Sequence, residues 1–301
     1  MSVAIDQVAA PPAPAPRRFQ MKPSRIGLYA FLIISALFFL IPLLIVFNTS
    51  LKPMDEIRTG DIFDLPIDPS FAAWAEAWTS ACTGRNCEGI RVGFWNSVKI
   101  LVPSVIFSIL ISAINGYALA QWRFKGSELI LGALMLGAFI PYQVILYPMV
   151  RILSTVGLYG SLPGIIVVHI IFGLPVLTLI FRNFYSGIPI ELIKAARIDG
   201  AGFFRIFFSI MLPMSTNILI VAVILQVTGI WNDYLLGLIF AGRENLPMTV
   251  QLNNIVGSVT GERTFNVDMA ATMLTALPPL IVYFLSGRYF VRGITAGAVK
   301  G

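Results

Sequence analysis

Few residues in this chain are suited to catalysis, and their spacing assembles no catalytic group. There is one histidine, His169, and there are two cysteines, Cys82 and Cys87, in 301 residues. Metal-assisted hydrolysis would call for a ligand pair such as H-E-x-x-H, and acyl transfer for a G-x-S-x-G elbow; neither pattern occurs. No G-x-x-x-x-G-K-[ST] run is present either, so no P-loop can cradle a nucleotide's phosphates. Cys82 and Cys87 lie five positions apart in ACTGRNC. A zinc site would need further ligands that this stretch lacks, so no metal is expected there. On an oxidising face of a membrane, two cysteines so spaced are expected to close a small disulfide ring.

A second group of polar residues lies inside an apolar run. Asn232 and Asp233 fall within Ile218–Phe240, with Gln226 and Trp231 close by. An ionisable group in hydrocarbon is costly and by default faces a cavity or a partner. Amides, a carboxylate and an aromatic face suit a hydroxyl-rich solute, which makes Gln226, Trp231, Asn232 and Asp233 candidate pathway residues. The competing reading is that Asp233 makes an interhelical bond that fixes the fold. His169, alone in its own apolar run, reads as a hydrogen-bonded packing residue.

The most informative stretch is aqueous. Pro189 followed by Glu191 makes a good helix start, with φ preset and an acid at the positive dipole end. Ile190–Arg197 is then a short helix, and Gly200 can take the left-handed conformation that ends it. Phe203/Phe207 and Phe204/Phe208 recur at i, i+4 on a second short helix. A helix, a glycine break and a helix make a rigid knob suited to docking in a partner's groove.

The elements that must position these residues are membrane spans. The chain is 57% hydrophobic and 12% charged, with a mean hydropathy of +0.82, against roughly a quarter charged in ordinary globular chains. Six blocks reach the roughly 20 residues needed to cross a bilayer: Ile26–Phe47, Trp95–Ala120, Leu129–Val150, Gly164–Phe181, Ile218–Phe240 and Met269–Phe290. None alternates as a barrel strand does. With a cytoplasmic N-terminus, thirteen basic and four acidic residues fall inside, a net +9 that leaves −3 of the chain's total +6 for the rest. That asymmetry places both termini in the cytoplasm and explains the basic charge without a nucleic acid.

The domain organisation follows from these blocks. Residues 1–25, with the run PPAPAPRR, are expected to be a disordered cytoplasmic tail. The first apolar block is too long for a cleavable signal and is expected to stay as an anchor. Residues 26–290 form one six-helix domain that includes an inner loop at 182–217, and residues 291–301 a cytoplasmic tail. Outer loops span 48–94 and 241–268.

The knob resembles the cytoplasmic loop of ABC importer permeases of the carbohydrate-uptake branch related to the maltose importer. That loop reads E-A-A-x3-G-x9-I-x-L-P, and this chain supplies Ala195, Ala196, Gly200, Ile210, Leu212 and Pro213 at the same spacing. Lys194 stands where the family carries Glu, with Glu191 one turn earlier. The resemblance runs over residues 25–301; CTGRNC, NSVK and FRNFY look most like glucose/mannose-type permeases. It implies an all-α integral membrane protein of the type I importer permease fold, with six transmembrane helices and a cytoplasmic coupling helix. It also implies an ATPase-coupling loop of Glu191, Lys194, Ala195, Ala196, Asp199, Gly200 and Ala201. The implied machine has a second permease subunit, two ABC ATPase subunits that bind the ATP, and an extracytoplasmic sugar-binding protein, in a bacterial inner membrane. No cofactor is then expected on this chain, and it is not an enzyme. Gly257 and Gly261 sit in the outer loop that enters the binding protein's cleft in maltose-type relatives. The alternative, a secondary ion-coupled transporter, predicts inverted repeats, and none is evident.

Overall fold

The computed structural model describes residues 23–83, 86–122, 124–257 and 263–298, with side chains over 24–287. The N-terminal tail through residue 22, Gly261 and residues 299–301 lie outside them. Every regular element among the described residues is helical. In order these are α1 (Pro23–Ser50), α2 (Met54–Thr59), α3 (Ala72–Thr79), α4 (Arg91–Gln121), α5 (Ser127–Phe139), α6 (Tyr142–Thr155), α7 (Leu162–Ser186), α8 (Ile190–Ile198), α9 (Phe203–Ile206), α10 (Leu212–Met214), α11 (Thr216–Trp231), α12 (Leu235–Phe240), α13 (Met248–Val256) and α14 (Phe265–Ala298). A π-helical turn, Phe207–Met211, joins α9 to α10.

The chain divides into two compact units, residues 1–45 and 46–301. In the first, α1 presents Ile26, Phe31, Ile34, Phe38 and Phe39 exposed on more than one face. A helix apolar all round is built for a nonpolar surrounding.

Within the second unit, two of the apolar blocks are resolved differently from a plain row of spans. Helices α4, α7 and α14 are long and apolar enough to cross a membrane, as is α1 in its own right. Leu129–Val150 is not one helix: α5 and α6 meet at a 107° bend. The cause is Pro141, which disfavours helical backbone at Ile140; Ile140 is extended, with ψ 124°. Ile218–Phe240 is likewise divided, since α11 ends at Trp231 and α12 begins only at Leu235. α14 also runs on through Ala298, into the residues expected to form the C-terminal tail.

The packing centres on α4 against α7. Gly116 lets the two approach so closely that a Cβ there would sit 2.6 Å from the Phe181 Cβ and 2.7 Å from the Arg182 nitrogen. At the α8 end of this pair lies a core of Tyr117, Phe181, Tyr185, Ile193, Ile206, Phe207 and Met211. A middle core joins Ile100, Met149, Leu153, Ile165, Val168 and Phe240. A third, around Ala77, Ile90, Trp231, Met248 and Ala270, ties α3, α11, α13 and α14 together.

Candidate functional site

Two places gather the residues singled out in the sequence. The first is the knob. α8 covers Ile190–Ile198, one residue longer than expected, with Pro189 extended ahead of it and Glu191 in its first turn. It ends as the glycine predicts: Gly200 has φ +77°. The Gly200 nitrogen donates to the Arg197 carbonyl at 3.0 Å, and the Ala201 nitrogen to the Ala196 carbonyl at 2.9 Å. This pair of bonds is the Schellman motif, which satisfies carbonyls that a helix end otherwise leaves open. Ile193 and Ala196 are buried, whereas Glu191, Lys194, Ala195, Asp199 and Gly200 face outward. No ion pair links Glu191 to Lys194 among the described residues, and both side chains are exposed. Ile198, 86% exposed, completes an outward face that is partly apolar.

The knob is fastened to the end of α4. The Arg197 guanidinium lies 4.0 Å from the centroid of the Trp122 ring, a cation–π contact worth about 1 kcal/mol. Phe203 packs on Tyr117 and Trp122, and Phe207 stacks on Tyr117. Phe204 and Phe208, the other i, i+4 pair, point away and are exposed. The Gln121 amide donates to the Tyr185 carbonyl at 2.7 Å and so caps the end of α7. Ser215 donates to the Tyr185 hydroxyl at 2.8 Å and fixes the turn into α11. No pattern in the sequence pointed to Trp122 or Arg197, because their contact joins segments 75 residues apart.

The second place is a cleft of about 610 Å³ between α5, α7 and the α11–α12 break. Gln226, Asn232 and Asp233 line it, together with His169, Tyr142, Phe172 and Tyr234. Asp233 sits in the break rather than within a continuous helix. Its carboxylate accepts from the Gly237 nitrogen at 2.9 Å and the Leu236 nitrogen at 3.2 Å, so it caps α12. The Thr249 hydroxyl donates to the Asp233 carbonyl at 2.6 Å. Gln226 donates to the Ser108 hydroxyl at 2.7 Å. Gly173 makes room for it, since a Cβ there would lie 2.2 Å from the Gln226 amide nitrogen.

Trp231 does not join them. It is buried, its indole N–H donates to the Thr275 carbonyl at 2.9 Å, and its ring packs edge-on against Phe94. Placing it among the pathway residues is therefore corrected by geometry: one helical position away from Asn232 turns it into the core. His169 departs from its expected role in the other direction. Its imidazole makes no hydrogen bond among the described residues and approaches Asp233 only to 3.9 Å.

A sequence profile described as "Binding-protein-dependent transport system inner membrane component" matches residues 108–296, which include both the knob and the cleft. The chain belongs to that family. It is similar to a probable ABC transporter permease protein of Pyrococcus horikoshii, 36% identical over 94% of this chain and 99% of that protein. It is also 37% identical to the alpha-glucoside transport system permease protein AglG of Rhizobium meliloti over 76% of this chain and 60% of AglG. Among solved structures, a chain of a bacterial ABC transporter involved in the import of the acidic polysaccharide alginate superposes with a TM-score of 0.74. That match covers 91% of this chain and 99% of the other at 20% identity, a likeness of fold. The protein is thus an ABC importer permease and a multi-pass membrane protein, a transport component rather than an enzyme.

In this permease the knob is a local structure, and the cleft a convergent one. The expected disulfide cysteines stand apart from both: Cys82 and Cys87 are bonded to one another, exposed, in the loop before α4.

Proposed function

We propose that this permease is a membrane-spanning subunit of an ATP-driven sugar importer, which forms the translocation pathway and receives the ATPase's motion through residues 182–217. The observation that carries the reading is the Schellman-capped knob, welded to α4 and α7 yet presenting Glu191, Lys194, Ala195, Asp199 and Ile198 outward. Such a handle transmits force only if a partner grips it. ABC ATPase subunits, which hold the ATP, fit that part; this chain needs no cofactor of its own. AglG's substrate class and the permease architecture both favour saccharide cargo over an ion-coupled solute. A second permease subunit and an extracytoplasmic binding protein complete the machine. The finer likeness to glucose/mannose-type permeases makes glucose a first substrate to try.

The bent pair α5–α6 and the divided run α11–α12 are then spans, giving six with α1, α4, α7 and α14. Both termini lie in the cytoplasm, and residues 1–25 and 291–301 flank the membrane domain there. Gln226, Asn232 and Asp233 belong to the pathway wall, and Glu191 through Ala201 to the coupling surface. ATP closes the ATPase pair, draws the knobs together and turns the bundle from one access state to the other.

The test is reconstitution. The complex in proteoliposomes should import sugar only with ATP and the binding protein together. Import driven by an ion gradient without ATP would sink the proposal. Reporter fusions after Gln121, Phe184 and Lys300 should read cytoplasm, and those after Glu76 and Gly257 the outside. A cytoplasmic signal at Glu76 would overturn the topology.

A further inference from the structure

We infer that this chain carries a sugar-holding site of its own in the cleft, and that the site selects uncharged sugars. The inference rests on the importer reading and goes beyond it, since a pathway wall need only let a solute slide past.

The first ground is a set of polar groups that open on the cleft. His169 is 7% exposed and lines the cleft, yet its imidazole makes no hydrogen bond among the described residues. Its nitrogens are not among the buried atoms shut away without a partner, so they open on the cleft and can bond to what it holds. Asn232 is exposed at the cleft, and its amide makes no hydrogen bond among the described residues, so it too is available to a ligand. Asp233 spends its carboxylate on two backbone N–H groups, but each oxygen keeps a lone pair for a hydroxyl. A ring hydroxyl that donates to Asp233 can accept from His169, because the two groups stand 3.9 Å apart.

The second ground is shape. Tyr142 and Phe172 pack edge to face, with centroids 6.2 Å apart, at the same cleft. Apolar ring faces of sugars lie against aromatic side chains while their hydroxyls reach polar groups. The volume falls within the usual small-molecule range of about 300–1,000 Å³.

The third ground is charge. Among the described residues, no lysine or arginine lines the cleft, and Asp233 is its only carboxylate. An acidic saccharide would meet that carboxylate without a counter-ion, which disfavours binding electrostatically. Neutral mono- or disaccharides are the class that fits.

The experiment uses the whole importer in proteoliposomes, with glucose, maltose and galacturonate as probes, and measures sugar moved per ATP hydrolysed. A neutral sugar should be carried and galacturonate should not. His169→Leu and Asn232→Leu should each lower that ratio about tenfold, as expected for a lost hydrogen-bond partner, and His169→Gln should restore most of it. In Asn232→Cys, where Cys82 and Cys87 remain paired, the carried sugar should slow thiosulfonate labelling of the new thiol. An unchanged ratio in both leucine variants, or labelling blind to sugar, overturns the site while leaving the importer intact. Galacturonate import overturns the charge argument. Failure of the wild-type complex to carry any sugar in the presence of ATP and binding protein removes the importer reading, and the site with it.

Discussion

The knob and the cleft share one helix, α7, and are built in opposite ways. The knob hangs from the end of α7 at Tyr185–Ile188, and its internal contacts are between near neighbours in sequence. Its backbone groups are satisfied by the Schellman turn and by Gln121. The cleft lies further along α7, at His169, Phe172 and Gly173, and draws on α5, α6 and α11 as well. There, the His169 imidazole and the Asn232 amide make no hydrogen bond among the described residues. A handle has to be rigid before anything grips it, so its bonds are closed within the chain. A holding site needs groups whose bonding is completed by what it holds. The difference separates a part that transmits force from a part that receives cargo.

The sharpest way to break the comparison is Gly200→Pro. Proline holds φ near −65° and lacks the N–H, whereas this position needs φ +77° and donates to Arg197. The turn cannot form, α8 is re-aimed, and transport should be abolished. The residue is exposed and no heavy atom lies within 4 Å of its would-be Cβ, so membrane insertion should survive. Purified mutant complex should either lack the ATPase subunits or hydrolyse ATP without responding to sugar-loaded binding protein. Normal uptake and normal stimulation would show that the knob is not the transmission. Gly200→Ala should cost far less, about 1–2 kcal/mol for the left-handed residue.

Next in size is the rod that connects the two regions. Gly116→Val would force a side chain into Phe181 and the Arg182 backbone, where even a Cβ lies under 3 Å from both. Overpacking of this kind costs roughly 1–3 kcal/mol. If α4 and α7 move as one body, the variant should impair sugar transport and ATPase stimulation together, and lower the melting temperature of the complex. Transport lost with stimulation intact would mean that the cleft and the knob are not joined through this contact.

Smaller still is the weld between them. Trp122→Leu removes both the cation–π partner of Arg197 and a face of Phe203. A loss of about 1 kcal/mol should loosen the knob and lower coupled transport roughly fivefold. Arg197→Lys should keep most of the activity, because a lysine ammonium can still sit over the indole. Equal losses in both variants would point to a direct contact between Arg197 and the ATPase instead.

What the sequence showed of these parts follows the same division. The knob was legible because its determinants lie within a few positions of each other: Pro189, Glu191 and Gly200 fix the start and stop of α8, and the structure reproduces them. Helical character in all six apolar blocks was legible for the same reason. The bend at Pro141 was less so, since proline is tolerated inside spans, as Pro103 and Pro175 show, and only tertiary packing decides whether it kinks or breaks. The cleft was half legible. Polarity marked Gln226, Asn232 and Asp233, but periodicity could not tell that Trp231 turns into the core. His169 appeared as a lone histidine in an apolar helix, and nothing in its neighbourhood reveals that it opens on the cleft without a hydrogen bond among the described residues. Trp122 had no local signal at all.

The smallest expected effect lies outside both regions, and it tests whether the comparison covers the whole transport mechanism. Cys82 and Cys87 close a loop of a few residues on the segment before α4. Chain-entropy reasoning gives such a short ring about 2 kcal/mol, and that stabilisation is local. The flanking chain is held independently: the Ile90 nitrogen donates to the Ala77 carbonyl at 2.9 Å, and the Gly89 nitrogen to the Ala81 carbonyl at 3.0 Å. Gly89 itself has φ +69° and lies against the Trp78 carbonyl, so the turn into α4 is set by glycine and backbone rather than by sulfur. Mass spectrometry without reduction should recover one peptide joining the two cysteines, and two freely alkylated thiols would reject the bond. Replacing both with serine should leave uptake within about twofold of wild type, because the hydrogen bonds that seat α4 remain. A tenfold loss would show that this outer loop moves with the transport cycle, and the division of labour between knob and cleft would then need a third member.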